Sequence, residues 1–173
     1  LLVSINDFYH KHYKFKKELK DIISGNHKLS LRLIDWLVTH YSRNNNIYYW
    51  ISNKEEKIYN NLPDNCNNDI CYKKLNLYYD YRAQLKSYSK LHFDTFRRHQ
   101  RITFYIDDDN TIQTTVGQLN FFRWVFNNKI ILYALDNYDT IYNDMINNNS
   151  YNKKNCKKIF QEIIKTNSIL RFD

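Results

Sequence analysis

Aromatic and apolar side chains recur at helical spacing from the beginning of the chain. Phe8, His12, Phe15, Leu19 and Ile22 share one side, and Lys11, Lys14, Lys17 and Lys20 occupy the other. Positions three and four apart stack on one face of an α-helix, so this pattern predicts an amphipathic helix with a cationic outer surface. Ser4 and Asp7 supply a cap and an acidic first turn, and Gly25 stands where a left-handed C-cap belongs. A second helix is predicted to start at Ser30 and end near Ser42, with Leu31, Ile34, Leu37, Val38 and Tyr41 as its stripe. Leu33 broadens that stripe while Trp36 lies off it, and a helix apolar over so much of its circumference belongs at the centre of a core.

The pattern then changes period. Ile47 to Ile51 is β-branched and aromatic and reads as a strand, and residues 52–72, with Pro63 and many Asn, read as a long surface loop. Leu75 to Tyr81 alternates enough for a short strand leading into a helix from about Tyr81 to the Phe96-Arg97-Arg98 region. Arg101–Ile106 and Thr111–Val116 alternate with period two around Asp107-Asp108-Asp109-Asn110, which predicts a hairpin. Helices are expected over Gln118–Asn128, burying Leu119, Phe122, Val125 and Phe126, over Ile130–Ile146, and over Lys153–Lys165. The fold class expected is α+β and mostly helical: a single domain of five to six helices with a small antiparallel β-hairpin element, a winged-helix arrangement being one way to assemble it.

Composition sharpens this picture in two places. The chain has 173 residues and a 43% hydrophobic share that includes 16 Tyr and 10 Phe, so large aromatic areas support a core despite a mean hydropathy of -0.72. Gly and Pro number only 2 and 1, which suits helices better than a barrel with frequent tight turns. The 3 Cys (Cys66, Cys71 and Cys156) make no disulfide framework, and no apolar run approaches the length of a membrane span. Asn-rich runs such as Asn44-Asn45-Asn46 are what AT-rich codons produce.

Charge carries the functional reading. The net charge is +8, which favours nucleic acid, an anionic surface or an acidic protein as partner. Projected on an unbroken helix, Arg82, Lys86, Lys90, Arg97 and Arg101 fall within about a quarter of the circumference, while Tyr81, Leu85, Tyr88 and Phe96 gather on a docking sector. Arg98, His92 and His99 widen the positive region, and Asp94 is the only acidic residue within it. Cations spaced along one face suit a phosphate backbone, where counterion release supplies affinity. A break at Ser89–His92 would scatter the stripe and leave a merely solvated surface.

Other motifs add less. The Asp107–Asp109 run would repel phosphate at a wing tip and reads as turn chemistry rather than a cation site. Gln118, Asn120 and Arg123, at the start of a helix that could belong to a helix-turn-helix, carry groups able to read base edges, although most helical hairpins read none. The 6 His lie in no zinc-protease or deaminase frame, Cys66 and Cys71 lack a second pair, and Gly25 and Gly117 are isolated. No catalytic residue, metal ligand or cofactor is assigned, and the expected protein is not an enzyme.

The segments Tyr81–Lys90, Phe93-Asp94-Thr95-Phe96-Arg97-Arg98 and Thr114-Thr115-Val116-Gly117-Gln118-Leu119-Asn120-Phe121-Phe122-Arg123-Trp124 resemble small basic proteins of nucleocytoplasmic large DNA viruses, mimivirus-like ones in particular. The resemblance covers about the central third of the chain and carries no activity with it. It implies a viral protein made in host cytoplasm and destined for a virus factory or the virion. Two functions stand side by side. The first is non-enzymatic binding of nucleic acid, DNA before RNA, through Arg82, Lys86, Lys90, Arg97, Arg98, Arg101 and Arg123. The second is a minor capsid or core role, in which Tyr48, Tyr49, Trp50 and Trp124 would be exposed to meet viral structural proteins.

Overall fold

A computed structural model describes residues 1–63, 70–98 and 100–148. The predicted helix over 153–165 and the residues Cys66, His99 and Cys156 lie outside them. The chain opens with two helices in place of one: α1 (Leu2–Lys11) and α2 (Tyr13–Ser24) meet at His12, whose φ of -122° and ψ of 68° interrupt the ladder. That break resets the helical phase. Ile5 and Tyr9 are the buried residues of α1, Leu19 and Ile22 those of α2, and His12 is exposed. Gly25 closes α2 in the left-handed region at φ 78°, and the Asn26 N–H reaches back to the Asp21 carbonyl at 2.8 Å.

The second predicted helix forms as a rod of three pieces. Ser30 caps α3 (Leu31–Trp36) by accepting the Leu33 N–H at 3.2 Å, a π-helical turn spans Leu37–Tyr41, and α4 (Ser42–Asn45) ends at Asn46 with φ 47°. Leu33, Ile34, Leu37, Val38 and Tyr41 are buried. The rod runs past Ser42 because the Ser42 hydroxyl is buried and donates to the Val38 carbonyl at 2.9 Å, which keeps it within the helix.

β1 (Tyr48–Ser52) is the centre of a three-stranded antiparallel sheet in the order β2-β1-β3, with β2 at Ile58–Tyr59 and β3 at Tyr72–Asn76. Tyr49 opposes Leu75 and Ile51 opposes Lys73. Within the long surface loop expected over 52–72, the two residues of β2 fold back onto β1, and Lys129 donates to the Ser52 carbonyl at 2.8 Å and to the Glu55 carbonyl. β3 also ends earlier than the alternation of 75–81 implies, since Asn76 caps the next helix, α5 (Leu77–Tyr88), by accepting the Tyr79 N–H.

The hairpin forms as expected, from β4 (Ile102–Tyr105) and β5 (Thr111–Thr114), with Phe104 opposite Ile112. The Asp107 carboxylate accepts the Asp109 N–H and the Asn110 side chain, so the acidic run serves the turn. Lys20 donates to the Asn110 side chain at 2.6 Å and Tyr9 meets Phe104 edge-on, which fastens the hairpin to the first two helices.

α6 (Val116–Asn127) is the central helix: Leu119, Phe121, Phe122, Trp124, Val125 and Phe126 are all buried. α7 (Ile130–Asp136) and a further helical stretch over 138–148 come after it, with a turn residue at Asn137 inside what the sequence reads as one helix. The architecture is α+β and mostly helical, with two small antiparallel sheets. Among the described residues, no helix is long and apolar enough to cross a membrane.

Candidate nucleic-acid interface

α5 carries the first part of the predicted stripe and nothing more. Leu77 and Tyr81 bury one side against the core, leaving Arg82 and Lys86 exposed. The helix stops at Ser89, whose φ of 62° and ψ of 166° no helix accommodates, and a short 3-10 turn over Lys90–His92 comes next. The unbroken helix into Phe96-Arg97-Arg98 is therefore corrected. The reversal occurs because Phe93 dives into the core beside Tyr81, Phe121 and Trp124, with ring centroids 5.7–5.9 Å away, and the chain must turn to place it there.

Two groups of cations result. Arg82, Lys86 and Lys90 still line one hollow of about 580 Å³, together with Ala83 and Leu85. Arg97, Arg98 and Arg101 leave the helix and lie exposed on the segment that leads into β4. That segment is not slack at its root. The Asp94 carboxylate accepts the N–H groups of Phe96 and Arg97 at 3.0 and 3.2 Å, Thr95 donates to Asp35 at 3.1 Å, and Gln118 donates to the Thr95 carbonyl at 3.0 Å. Among the described residues, none of these six cations is ion-paired with a carboxylate; the ion pairs present involve Lys14, His27, Lys57 and Lys73.

The electrostatics beneath the stripe are set by burial. The Tyr81 hydroxyl is pushed up to about 12, first by desolvation and then by Asp35 and Asp94, with Arg82 acting the other way. It stays neutral at physiological pH and contributes no counter-charge to Arg82. Two large aromatics stand beside the cations: Tyr79 is 69% exposed and Phe96 is 55% exposed. Tyr79 precedes Arg82 by three and Lys86 by seven positions, which sets all three along one side of α5. Phe96 is a correction, since the helical projection assigned it to the docking sector.

Arg123 stands apart from both groups. Its guanidinium donates to Ser4 Oγ at 2.9 Å, Asn120 Oδ1 at 2.6 Å and the Tyr88 hydroxyl at 3.3 Å, and it faces a second hollow of about 820 Å³ between α1, α5, α6 and the three-stranded sheet. Gln118 and Asn120, the other two candidate base readers, are spent inside the fold: Gln118 on Thr95 and Thr114, Asn120 on the His92 carbonyl. With eight of its residues buried, α6 does not present a recognition face.

The family of unknown function DUF7197 has a model that matches residues 1–171. The chain belongs to that family. It is also 34% identical, over 152 residues, to an uncharacterized protein of Acanthamoeba polyphaga mimivirus, an alignment covering 85% of this chain and 53% of the relative. The chain thus spans about half the length of that relative. The likeness to mimivirus proteins expected from the central motifs is met. No solved structure matches the chain.

For this DUF7197 chain, sequence reasoning misplaced two of the aromatics assigned to partner contact. Tyr49 and Trp124 are 0% and 6% exposed, so only Tyr48 and, in part, Trp50 remain at the surface. It also overlooked Tyr79 and Phe96, for which the sequence holds no signal beyond their place among cations. Cys71 is exposed with a free thiol, and among the described residues no group of three His, Cys, Asp or Glu is arranged to hold a metal ion.

Proposed function

We propose that this DUF7197 protein binds nucleic acid without transforming it, DNA before RNA, as part of a viral factory or particle. One observation carries the reading: Arg82, Lys86 and Lys90 surround a single hollow and none of them is ion-paired with a carboxylate of the described chain. A solvated, self-neutralised surface would intersperse anions with these cations. Phosphates release condensed counterions when they meet such a cluster, and that release is the main source of sequence-independent affinity. Arg97, Arg98 and Arg101 extend the contact beyond the helix, while the exposed rings of Tyr79 and Phe96 offer stacking surfaces to unpaired bases.

The test is fluorescence anisotropy with labelled duplex DNA, single-stranded DNA and RNA over a series of salt concentrations. Binding that weakens steeply with salt, and that Lys86→Glu with Lys90→Glu abolishes, supports the reading. Affinity unchanged in that double variant removes the hollow as the contact.

A further inference from the structure

The second hollow combines features that the cationic stripe lacks. Phe8 and Tyr88 supply aromatic walls, and Lys11, Lys73 and Arg123 supply positive charge against a single lining carboxylate, Asp7. Lys73 is shared with Asp80 at 4.0 Å and with the Asn128 side chain at 3.4 Å. Arg123 differs from both lysines. It is half-buried, three neutral oxygens fix its plane, and among the described residues no carboxylate neutralises it. Holding a partly desolvated guanidinium without a counter-ion costs free energy, and a neutral donor would tie α1, α5 and α6 together more cheaply. Both Nη2 hydrogens and one on Nη1 are spent on these oxygens, so the fixed group offers an incoming phosphate its charge and single hydrogen bonds from Nη1 and Nε rather than a paired grip. Lys11 is exposed on the rim and has no ion-pair partner among the described residues.

We infer that this hollow binds a nucleoside phosphate, with Arg123 and Lys11 on the phosphate and the Phe8 ring and the edge of Tyr88 against the base, the faces of Tyr88 being taken by Phe93 and the Arg123 guanidinium. A volume of about 820 Å³ accommodates a ligand of that size, within the range usual for small-molecule sites. The site is independent of the stripe on α5: Gln84 and Tyr88 line this hollow, whereas Arg82, Lys86 and Lys90 line the other. The same ligand chemistry occurs in a free nucleotide and at the 5′-phosphorylated end of a strand.

Isothermal titration of the full chain with adenosine 5′-monophosphate, adenosine and inorganic phosphate tests the assignment. Saturable binding of the monophosphate is expected, at least about tenfold tighter than either fragment, and Arg123→Lys should weaken it by about tenfold or more, because a lysine ammonium is not held in place by the Ser4, Tyr88 and Asn120 oxygens as the guanidinium is. Lys11→Glu should also weaken it, and this exposed position leaves the fold intact should Arg123→Lys disturb it. Lys86→Gln with Lys90→Gln should leave it unchanged, which separates this site from the polymer contact. Competition by a 5′-phosphorylated but not a 5′-hydroxyl oligonucleotide assigns the ligand as a strand end; no competition assigns it as a free nucleotide. Inorganic phosphate binding as tightly as the monophosphate, no saturation at millimolar nucleotide, or undiminished binding in Lys11→Glu overturns the inference.

Discussion

Trp124 donates its indole N–H to a carboxylate oxygen of Asp80 at 2.5 Å, joining the central helix α6 to α5 at the level of the cationic face. The ring itself sits among Tyr81, Phe93 and Phe121. An indole so placed has one polar atom to satisfy, and an ionised acceptor satisfies it more strongly than a neutral one. Asp80→Ala leaves that N–H unmet and also frees Lys73. The expected loss is about 1.5–3 kcal/mol, the usual range for a hydrogen bond to a charged group. Urea unfolding monitored by tryptophan fluorescence reads it, and a midpoint within error of the parent would show that water replaces the carboxylate.

Gly117 is required by a close approach. A Cβ built there meets the Asp94 carbonyl at 3.2 Å and the Leu91 carbonyl at 3.3 Å, both backbone atoms. The start of α6 is therefore pressed against the turn that positions Phe93. Gly117→Ala gains about 0.8–1.0 kcal/mol of helix propensity but forces the two segments apart, at a typical cost of about 1–3 kcal/mol. A net destabilisation is expected in urea unfolding. A stabilised variant would mean that the 91–94 turn yields freely.

Much of this architecture was legible because it is written in local chemistry. Ser30, Gly25 and the buried set Leu119, Phe122, Val125 and Phe126 do what their spacing predicts, and the hairpin forms around its Asp-rich turn. What failed were breaks with no Gly or Pro to announce them. Ser89 takes a positive φ and His12 interrupts a ladder because the side chains beyond each must reach the core, and tertiary contact overrides helix propensity at both. β2 is two residues long and gains its identity only by pairing with Trp50 and Ile51. At the candidate site, exposure of the cations was readable from periodicity. Their division into two groups was not, since it depends on Phe93 leaving the helix for the core.

Ser89 itself offers a measurement. Its φ of 62° and ψ of 166° fall in a region essentially reserved for glycine, where other residues cost of order 1–3 kcal/mol. Ser89→Gly relieves that strain and is expected to raise stability by about 1 kcal/mol while leaving the turn, and hence the relation of Lys86 to Lys90, in place. A lower melting temperature would show that the greater freedom of glycine in the unfolded chain outweighs the relief.

Asp35 makes stability depend on pH. Burial raises its carboxyl above the ordinary aspartate range, the Thr95 hydrogen bond opposes that shift, Asp94 adds to it and His40 acts against it. With the folded pKa above the unfolded one, the native state binds more protons between the two values. Stability from this group is therefore fully present below the unfolded pKa and declines as pH rises through the raised one. Asp35→Asn keeps an acceptor for Thr95 and removes the titration. Its stability relative to the parent should rise across that window and stay level above it, in urea midpoints taken from pH 3 upward at about half-unit steps. A constant difference between the two proteins would exclude Asp35 as the source.

The cationic hollow predicts a number as well as a loss. If Lys86 and Lys90 each meet one phosphate, replacing both with Gln should reduce the slope of log K against log salt by about 1.8 on duplex DNA, or 0.9 per phosphate contact removed. Their positions in the hollow, and the lack of a carboxylate partner for either among the described residues, make each substitution an electrostatic change with little effect on folding. Arg97→Gln with Arg98→Gln tests the second group by the same measure, since those residues lie beyond the end of α5. A slope lowered by the first pair alone would confine the contact to the helix, and one lowered by both would extend it along the 94–101 segment. If neither pair alters the slope, the phosphates meet other cations and the α5 face has no part in binding.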